Sequence, residues 1–246
     1  MKLQQVMGKV RRAVDDYSMI SDGDKIAIGI SGGKDSLTLL YALSGLQKFY
    51  PVHFDLEAIQ VDLGFADMPP ISPIEALCSE LGVNYTCVHT DIAEIVFNVR
   101  KEDNPCSLCA KLRKGALNDA AIKLGCSKIA YAHHKDDIVE TFLMSLIYEG
   151  RLHSFSPVTY LDRTGLTVIR PLMYMDEADA IGFKNIYNLP VIKNPCPADG
   201  ETRREYVKNL VKSLNNEASG VKNRMFTAIL EGNLPGWPVK KEENNG

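Results

Sequence analysis

The stretch KIAIGISGGKDSLTLLYAL, residues 25–43, constrains the fold more than any other. Branched apolar residues running to Ile30 predict a buried strand, Gly32 and Gly33 a tight turn, and Ser36 to Gln47 a helix. Such a junction points several backbone N–H groups and the positive end of a helix at one spot, which attracts an anion. It is not the usual phosphate loop. Counting back from Gly33-Lys34, the first glycine of G-x-x-x-x-G-K-[ST] would be Ile28, and the residue after Lys34 is Asp35. A carboxylate beside phosphates is repulsive unless Mg²⁺ or an organised backbone offsets it, so Asp35 implies one of these. Ser31 and Ser36 add hydroxyls, and Lys34 adds charge.

The same alternation continues along the chain. Strands are expected at 25–30, 55–62, 84–90, 128–133 and 166–171, and helices at 36–47, 71–81, 109–124, 136–149 and 175–187. Two more helices are expected after Cys196, before a frayed tail. This rhythm predicts an α/β fold with an open, mostly parallel sheet and helices on both faces. With 246 residues, 45% apolar and 24% charged, one large domain with small appendages is the expectation. The division is a helical segment 1–24, a nucleotide-binding domain 25–195 and a helical segment 196–246. The N-terminus carries scattered charges at helical spacing and no continuous apolar run, so a secretory signal and a membrane anchor are not expected. A cytoplasmic protein is.

Six cysteines without an export signal point to metal or catalytic use of thiols rather than a disulfide scaffold. Cys106 and Cys109 form a C-x-x-C pair just before an expected helix, whose N-terminus favours thiolate. Cys196 stands between two prolines in a rigid loop. Cys78, Cys87 and Cys126 lie in apolar contexts and read as core. No second C-x-x-C pair completes a tetrahedral zinc site. Three thiolates can hold a cubane cluster by three irons and leave the fourth open; a redox dithiol or a chance pair are the competing readings.

The S-G-G-x-D-S loop resembles the signature of the PP-loop ATP pyrophosphatases. With PCSLCAKLRKG, AHHKDD, VIRPLMYMDEADA and LPVIKNPCP, in that order, the chain resembles the tRNA 2-thiocytidine synthetase family and its 2-thiouridine relatives over about residues 20–210. The resemblance implies ATP held by Ile30, Ser31, Gly32, Gly33, Lys34, Asp35 and Ser36. It places adenine near Val61, and adds Asp62, Ala132, His133 and Asp137 to the nucleotide site. Ala132 stands where the family often has glycine. Asp62 by itself also reads as a turn cap, and the Asp136-Asp137 pair as a helix cap.

The resemblance further implies a 4Fe-4S cluster on Cys106, Cys109 and Cys196, Mg²⁺ near Asp35 and Asp137, and Arg113 as a basic residue needed for activity. Pro197-Ala198-Asp199 replaces the second late cysteine of many 2-thiocytidine synthetases. The implied reaction is adenylation of a base carbonyl oxygen with loss of pyrophosphate, then displacement of AMP by sulfide. Asp35, Arg113 and Asp137 are its expected catalytic groups. Implied partners are tRNA and a sulfur donor, sulfide or a persulfide carrier, and the number of subunits, a homodimer included, stays open. Net charge is −3, so any RNA-binding face is local. Basic clusters at Lys9, Arg11 and Arg12, at Lys111, Arg113 and Lys114, at Arg203 and Arg204, and at Lys222 and Arg224 are its candidates, although solvated helix faces also explain each. Two other readings stand beside this one: a cluster-free adenylating enzyme like the lysidine synthetases, or a sulfur transferase for a small molecule. A nucleotide-binding redox sensor is the third, of another class.

Overall fold

The computed structural model describes residues 1–101, 105–193, 195–196 and 203–237. The expected frayed tail and the Pro197-Ala198-Asp199 stretch lie outside the described residues. The strands are β1 (Asp24–Ile30), β2 (Phe54–Asp62), β3 (Asn84–His89), β4 (Lys128–Ala130), β5 (Val158–Leu161) and β6 (Leu166–Ile169). The helices are α1 (Leu3–Asp16), α2 (Lys34–Gln47), α3 (Ser72–Leu81), α4 (Pro105–Lys123), α5 (Lys135–Met144), α6 (Glu177–Tyr187), α7 (Arg203–Glu217) and α8 (Val221–Glu231). Short π-helical segments, Glu94–Arg100 and Ser145–Glu149, precede α4 and extend α5.

The six strands form one sheet in the order β3-β2-β1-β4-β6-β5. All neighbours are parallel except β5, which runs antiparallel to β6. The chain winds outward from β1 toward β3, then crosses to β4 on the other side. The carboxyl ends of β1 and β4 therefore splay around a crevice, the place where open α/β sheets bind ligands.

Strand alternation sorts the core into two layers. Ile26, Ile28 and Ile30 point to the larger buried cluster, with side chains of α1, α2, α5, α6, α7 and α8. Ala27, Ile59 and Ile129 point the other way, beneath Leu117, Ala120 and Ala121 of α4. Residues from all three expected segments, such as Val10, Leu40 and Val207, meet in the larger cluster. No helix among the described residues is long and apolar enough to cross a membrane.

Two elements differ from expectation. Helix α4 begins at Pro105, four residues before the expected start at Cys109, so Cys106 lies in its first turn and Cys109 opens its second. Proline is favoured there because its fixed φ suits the helix and its missing N–H has no intrahelical partner to lose. Strand β5 was not expected; it is an edge strand formed only by pairing back on β6 through the turn at 162–165.

Candidate active site

The glycine loop is built by sequence-local bonds. Gly32 takes φ +78°, and a Cβ on it would stand 3.2 Å from the Ile192 Cβ, so glycine is required both by conformation and by space. Gly33 caps α2 with extended backbone. The Ser36 hydroxyl accepts from the Ser31 N–H at 3.2 Å and donates to the Gly33 carbonyl at 3.0 Å. Ser31 Oγ accepts from the Gly33 N–H at 3.2 Å and lies 3.1 Å from Ser36 Oγ. The two hydroxyls thus brace the loop as well as lining its mouth.

Lys34 Nζ lies 3.1 Å from both Asp35 Oδ2 and Glu177 Oε1, and Glu177 in turn pairs with Lys208 at 2.9 Å. Burial pushes the Glu177 carboxyl up, but Lys208 and Lys34 overcome it and hold it at about 2. Asp35 Oδ1 is buried with no hydrogen-bond partner. Three carboxylates surround His134: its Nε2 lies 3.9 Å from Asp35 Oδ1, and its Nδ1, which accepts from the Asp137 N–H at 3.4 Å, lies 3.7 Å from Asp136 Oδ2 and 3.3 Å from Asp137 Oδ2. Asp137 Oδ2 returns the bond by accepting from the His134 N–H at 3.0 Å, a reciprocal cap that fixes the start of α5. Asp136 is used differently, accepting from the Glu177 N–H at 2.8 Å and pairing with Lys222 at 2.6 Å.

A cleft of about 450 Å³ opens beside this loop. Ile30, Ser31, Asp35, Ser36, Val61, Ala132, His133, Asp137 and Arg113 all line it. Its far wall is a group that motif reasoning did not single out. Phe155 stacks on His133 at 4.2 Å between ring centres, and the buried Arg170 lies over Phe155. Arg170 Nε donates to His133 Nδ1 at 3.3 Å, which puts the imidazole proton on Nε2. Burial, reinforced by Arg170 and Arg204, holds His133 down at about 3, so it is neutral. Tyr131 Oη, also on the cleft wall, is buried without a partner. Orphaned polar atoms such as this and Asp35 Oδ1 are unfavourable without a ligand to meet them. The cleft therefore offers a buried carboxylate oxygen suited to a hard cation and a phenol suited to an acceptor.

The thiols lie along the same helix. Cys106, Ala110, Arg113 and Leu117 recur at 4, 3 and 4 residues, one face of α4, and the last three line the cleft. Burial raises the Cys109 thiol, Arg113 lowers it, and the charges of Cys196 and Cys106 raise it further. Three sulfurs from two distant parts of the chain thus share one electrostatic neighbourhood. The segment leading to Cys196 is tied to the glycine loop: the Ile192 N–H donates to the Gly32 carbonyl at 2.9 Å, four residues before Cys196. Among the described residues no three His, Cys, Asp or Glu side chains stand closed on a metal-sized point. The donors are soft sulfurs, the ligand type that iron-sulfur clusters take, and the Cys109 thiol feels both Cys106 and Cys196. Cys78 and Cys126 are buried, and burial pushes both up to about 11, as for inert core thiols.

Over residues 2–214 the sequence matches the PP-loop domain family. The chain belongs to the PP-loop family. The tRNA-cytidine(32) 2-sulfurtransferase of Geobacter sulfurreducens is 37% identical to this PP-loop protein over 231 residues, 93% of this chain and 90% of the relative. The protein of the same name from Syntrophotalea carbinolica is 36% identical over 231 residues, covering 93% and 88%. Among solved structures, the U34-tRNA thiolase NcsA from Methanococcus maripaludis with its 4Fe-4S cluster superposes with a TM-score of 0.75. It is 25% identical, across 92% of this chain and 77% of that one. The NH3-dependent NAD synthetase of Campylobacter jejuni, 15% identical with a TM-score of 0.53 over 93% and 92%, is similar in fold alone.

Not every expected residue of the PP-loop protein faces the cleft. Asp62 accepts from the Gly64 N–H at 3.0 Å and lies 2.9 Å from His89 Nδ1, so its carboxylate is engaged in the turn after β2. Gly32, Gly33 and Lys34 form the loop behind the lining residues. Of the residues missed, Glu177 and Arg170 lay within the VIRPLMYMDEADA stretch, whose only signal was family resemblance. Arg204, noted as one of a basic pair, lies 3.4 Å from Asp137 Oδ1 and 3.3 Å from Glu140 Oε2 instead of standing free for RNA.

Proposed function

We propose that the protein is an ATP-dependent, iron-sulfur sulfurtransferase that thiolates a tRNA base. The observation that carries the reading is the single face of α4 that bears Cys106, Ala110 and Arg113, on a helix whose Cys109 thiol feels the charge of Cys196. The relatives' names supply the substrate class.

A base carbonyl cannot lose its oxygen to sulfide directly, because the leaving group is too poor at neutral pH. The carbonyl oxygen attacks the α-phosphorus of ATP, the bond to pyrophosphate breaks, and the base carries AMP on oxygen. Ser31, Gly33 and Lys34 hold the departing pyrophosphate, and Asp35 with Asp137 would hold Mg²⁺, which would neutralise its charge. Preorganised charge of this kind contributes about 2.7–4 kcal/mol per lost donor in related chemistries. Arg113 faces the adenylate and stabilises its charge. A sulfide equivalent adds to the adjacent carbon, and AMP leaves with the former carbonyl oxygen. Cys106, Cys109 and Cys196 would hold a 4Fe-4S cluster by three of its irons, and the open iron would bind and present the donor's sulfide. Val61, Ala132 and His133 bound the adenosine side of the cleft. The donor is sulfide, or a persulfide carrier together with a thiol reductant that supplies two electrons and ends as disulfide; the reaction runs in the cytoplasm, and the 1–24, 25–195 and 196–246 segments divide labour around one core, in a monomer or a homodimer.

The test is turnover under anaerobic conditions with ATP, sulfide and an unmodified tRNA transcript, followed by mass spectrometry of the nucleosides. One thiolated nucleoside, with equal AMP and pyrophosphate, is expected. AMP and pyrophosphate without any thiolated nucleoside would leave an adenylating enzyme and remove the sulfur step.

A further inference from the structure

A second cavity of about 450 Å³ lies against α4, lined by Lys111, Lys114, Gly115 and Asn118 of the helix and by Tyr160 to Thr164 of the β5–β6 hairpin. Lys114 lines both cavities, so the two are neighbours around one helix. We propose that this second cavity holds an unpaired nucleotide of the acceptor RNA, next to the one whose base enters the main cleft. The proposal rests on the tRNA reading above and adds to it where the RNA is gripped.

Four observations point to a nucleotide. Lys111, Lys114 and Arg163 give three cations, none with an ion-pair partner within 4.0 Å among the described residues, against a single carboxylate, Asp162. Such a concave positive site suits a phosphate. Tyr160, on the edge strand, is 61% exposed, the kind of aromatic face on which an unstacked base rests.

Asn118 is buried to 6% exposure, yet its Oδ1 has no hydrogen-bond partner, and it lines the cavity. Of the four buried partnerless side-chain atoms among the described residues, two line the main cleft and this one lines the second. An amide can pair with the edge of a base.

Gly115 is the fourth. It sits in the middle of a 19-residue helix, where glycine is unfavourable, and a Cβ there would meet nothing within 4 Å. Packing does not demand glycine; the open space does belong to the cavity wall. An α-helix with its side chains is about 10–12 Å across, so the two cavities can take successive parts of one splayed single strand.

The experiment compares wild type, Gly115→Met, Tyr160→Ala and Lys111→Gln, each checked for an unchanged melting temperature, using an unmodified tRNA transcript and ATP as separate probes. Gly115→Met fills the cavity with a good helix former, and Tyr160→Ala removes an exposed ring, so both leave the core intact. Expected is a loss of about tenfold in tRNA affinity for each of these two with ATP affinity unchanged. For Lys111→Gln, the salt slope of tRNA binding flattens by about 0.7. If wild type binds tRNA and Gly115→Met and Tyr160→Ala bind it equally well, the cavity is no nucleotide site and the inference fails. If only Lys111→Gln weakens binding, a charged rim suffices and the inference also fails. Absence of tRNA binding by wild type removes the underlying reading itself.

Discussion

The Ile192 N–H is bonded to the Gly32 carbonyl at 2.9 Å, with the Ile192 Cβ directly over the glycine. The glycine loop and the segment leading to Cys196 are therefore joined by a backbone bond and a close side-chain contact. Gly32→Ala forces a side chain into left-handed backbone and against Ile192, which costs about 1–2 kcal/mol from conformation alone. Denaturant melts should show that loss. Both ATP affinity and iron content should fall together, whereas independent behaviour of the two would refute the coupling.

Replacing thiols should sort them into two classes. Cys106→Ala and Cys196→Ala are expected to abolish iron binding after anaerobic reconstitution, with ATP affinity retained. Cys78→Ala, in the core, should keep full iron and lose about 1 kcal/mol of stability. Elemental analysis and visible absorption decide the first, urea melts the second.

Arg170 is a buried cation with three partners: His133 Nδ1, Thr159 Oγ1 and the Ser156 carbonyl. Burial brings it down to about 10, still charged at neutral pH. Arg170→Met should cost about 3 kcal/mol, because it orphans the Ser156 carbonyl and frees the His133–Phe155 stack. Nucleotide affinity should drop with it, and titration calorimetry would reveal an unchanged value if that wall plays no part.

Burial, and then the charge of Asp137, push the Glu140 carboxyl up to about 7 from its ordinary 4.5. A folded value above the unfolded one means that the folded chain binds the proton more tightly. The resulting stability is complete below about 4.5 and is lost as pH rises through 7. In Glu140→Gln the fall in stability between pH 5 and pH 9 should shrink by on the order of 2–3 kcal/mol. Parallel melts of the two proteins at both pH values measure it; equal slopes would show that Glu140 is already ionised at pH 5.

The features legible in the sequence were those made by neighbours along the chain. Gly32, Gly33 and Ser36 build their loop within six residues, and the Ile26, Ile28, Ile30 alternation fixes the buried face of β1. Edge strand β5 was not legible, because it is half exposed and has only β6 as partner. Glu177 was not, because its role exists only once Lys34 and Lys208 arrive from other elements. Asp62 shows the converse: a residue at a strand end can match a binding motif and still spend its carboxylate on the adjoining turn.

Helix α4 sets thiols, arginine and second-cavity wall in fixed angular phase. One residue inserted after Cys109 would rotate everything beyond it by about 100°. Arg113 would swing from the main cleft, and Asn118 from the hairpin, while the helix itself stayed whole. Evolution of acceptor preference in such a protein is thereby channelled into exchanging side chains on this rod, never into changing its length.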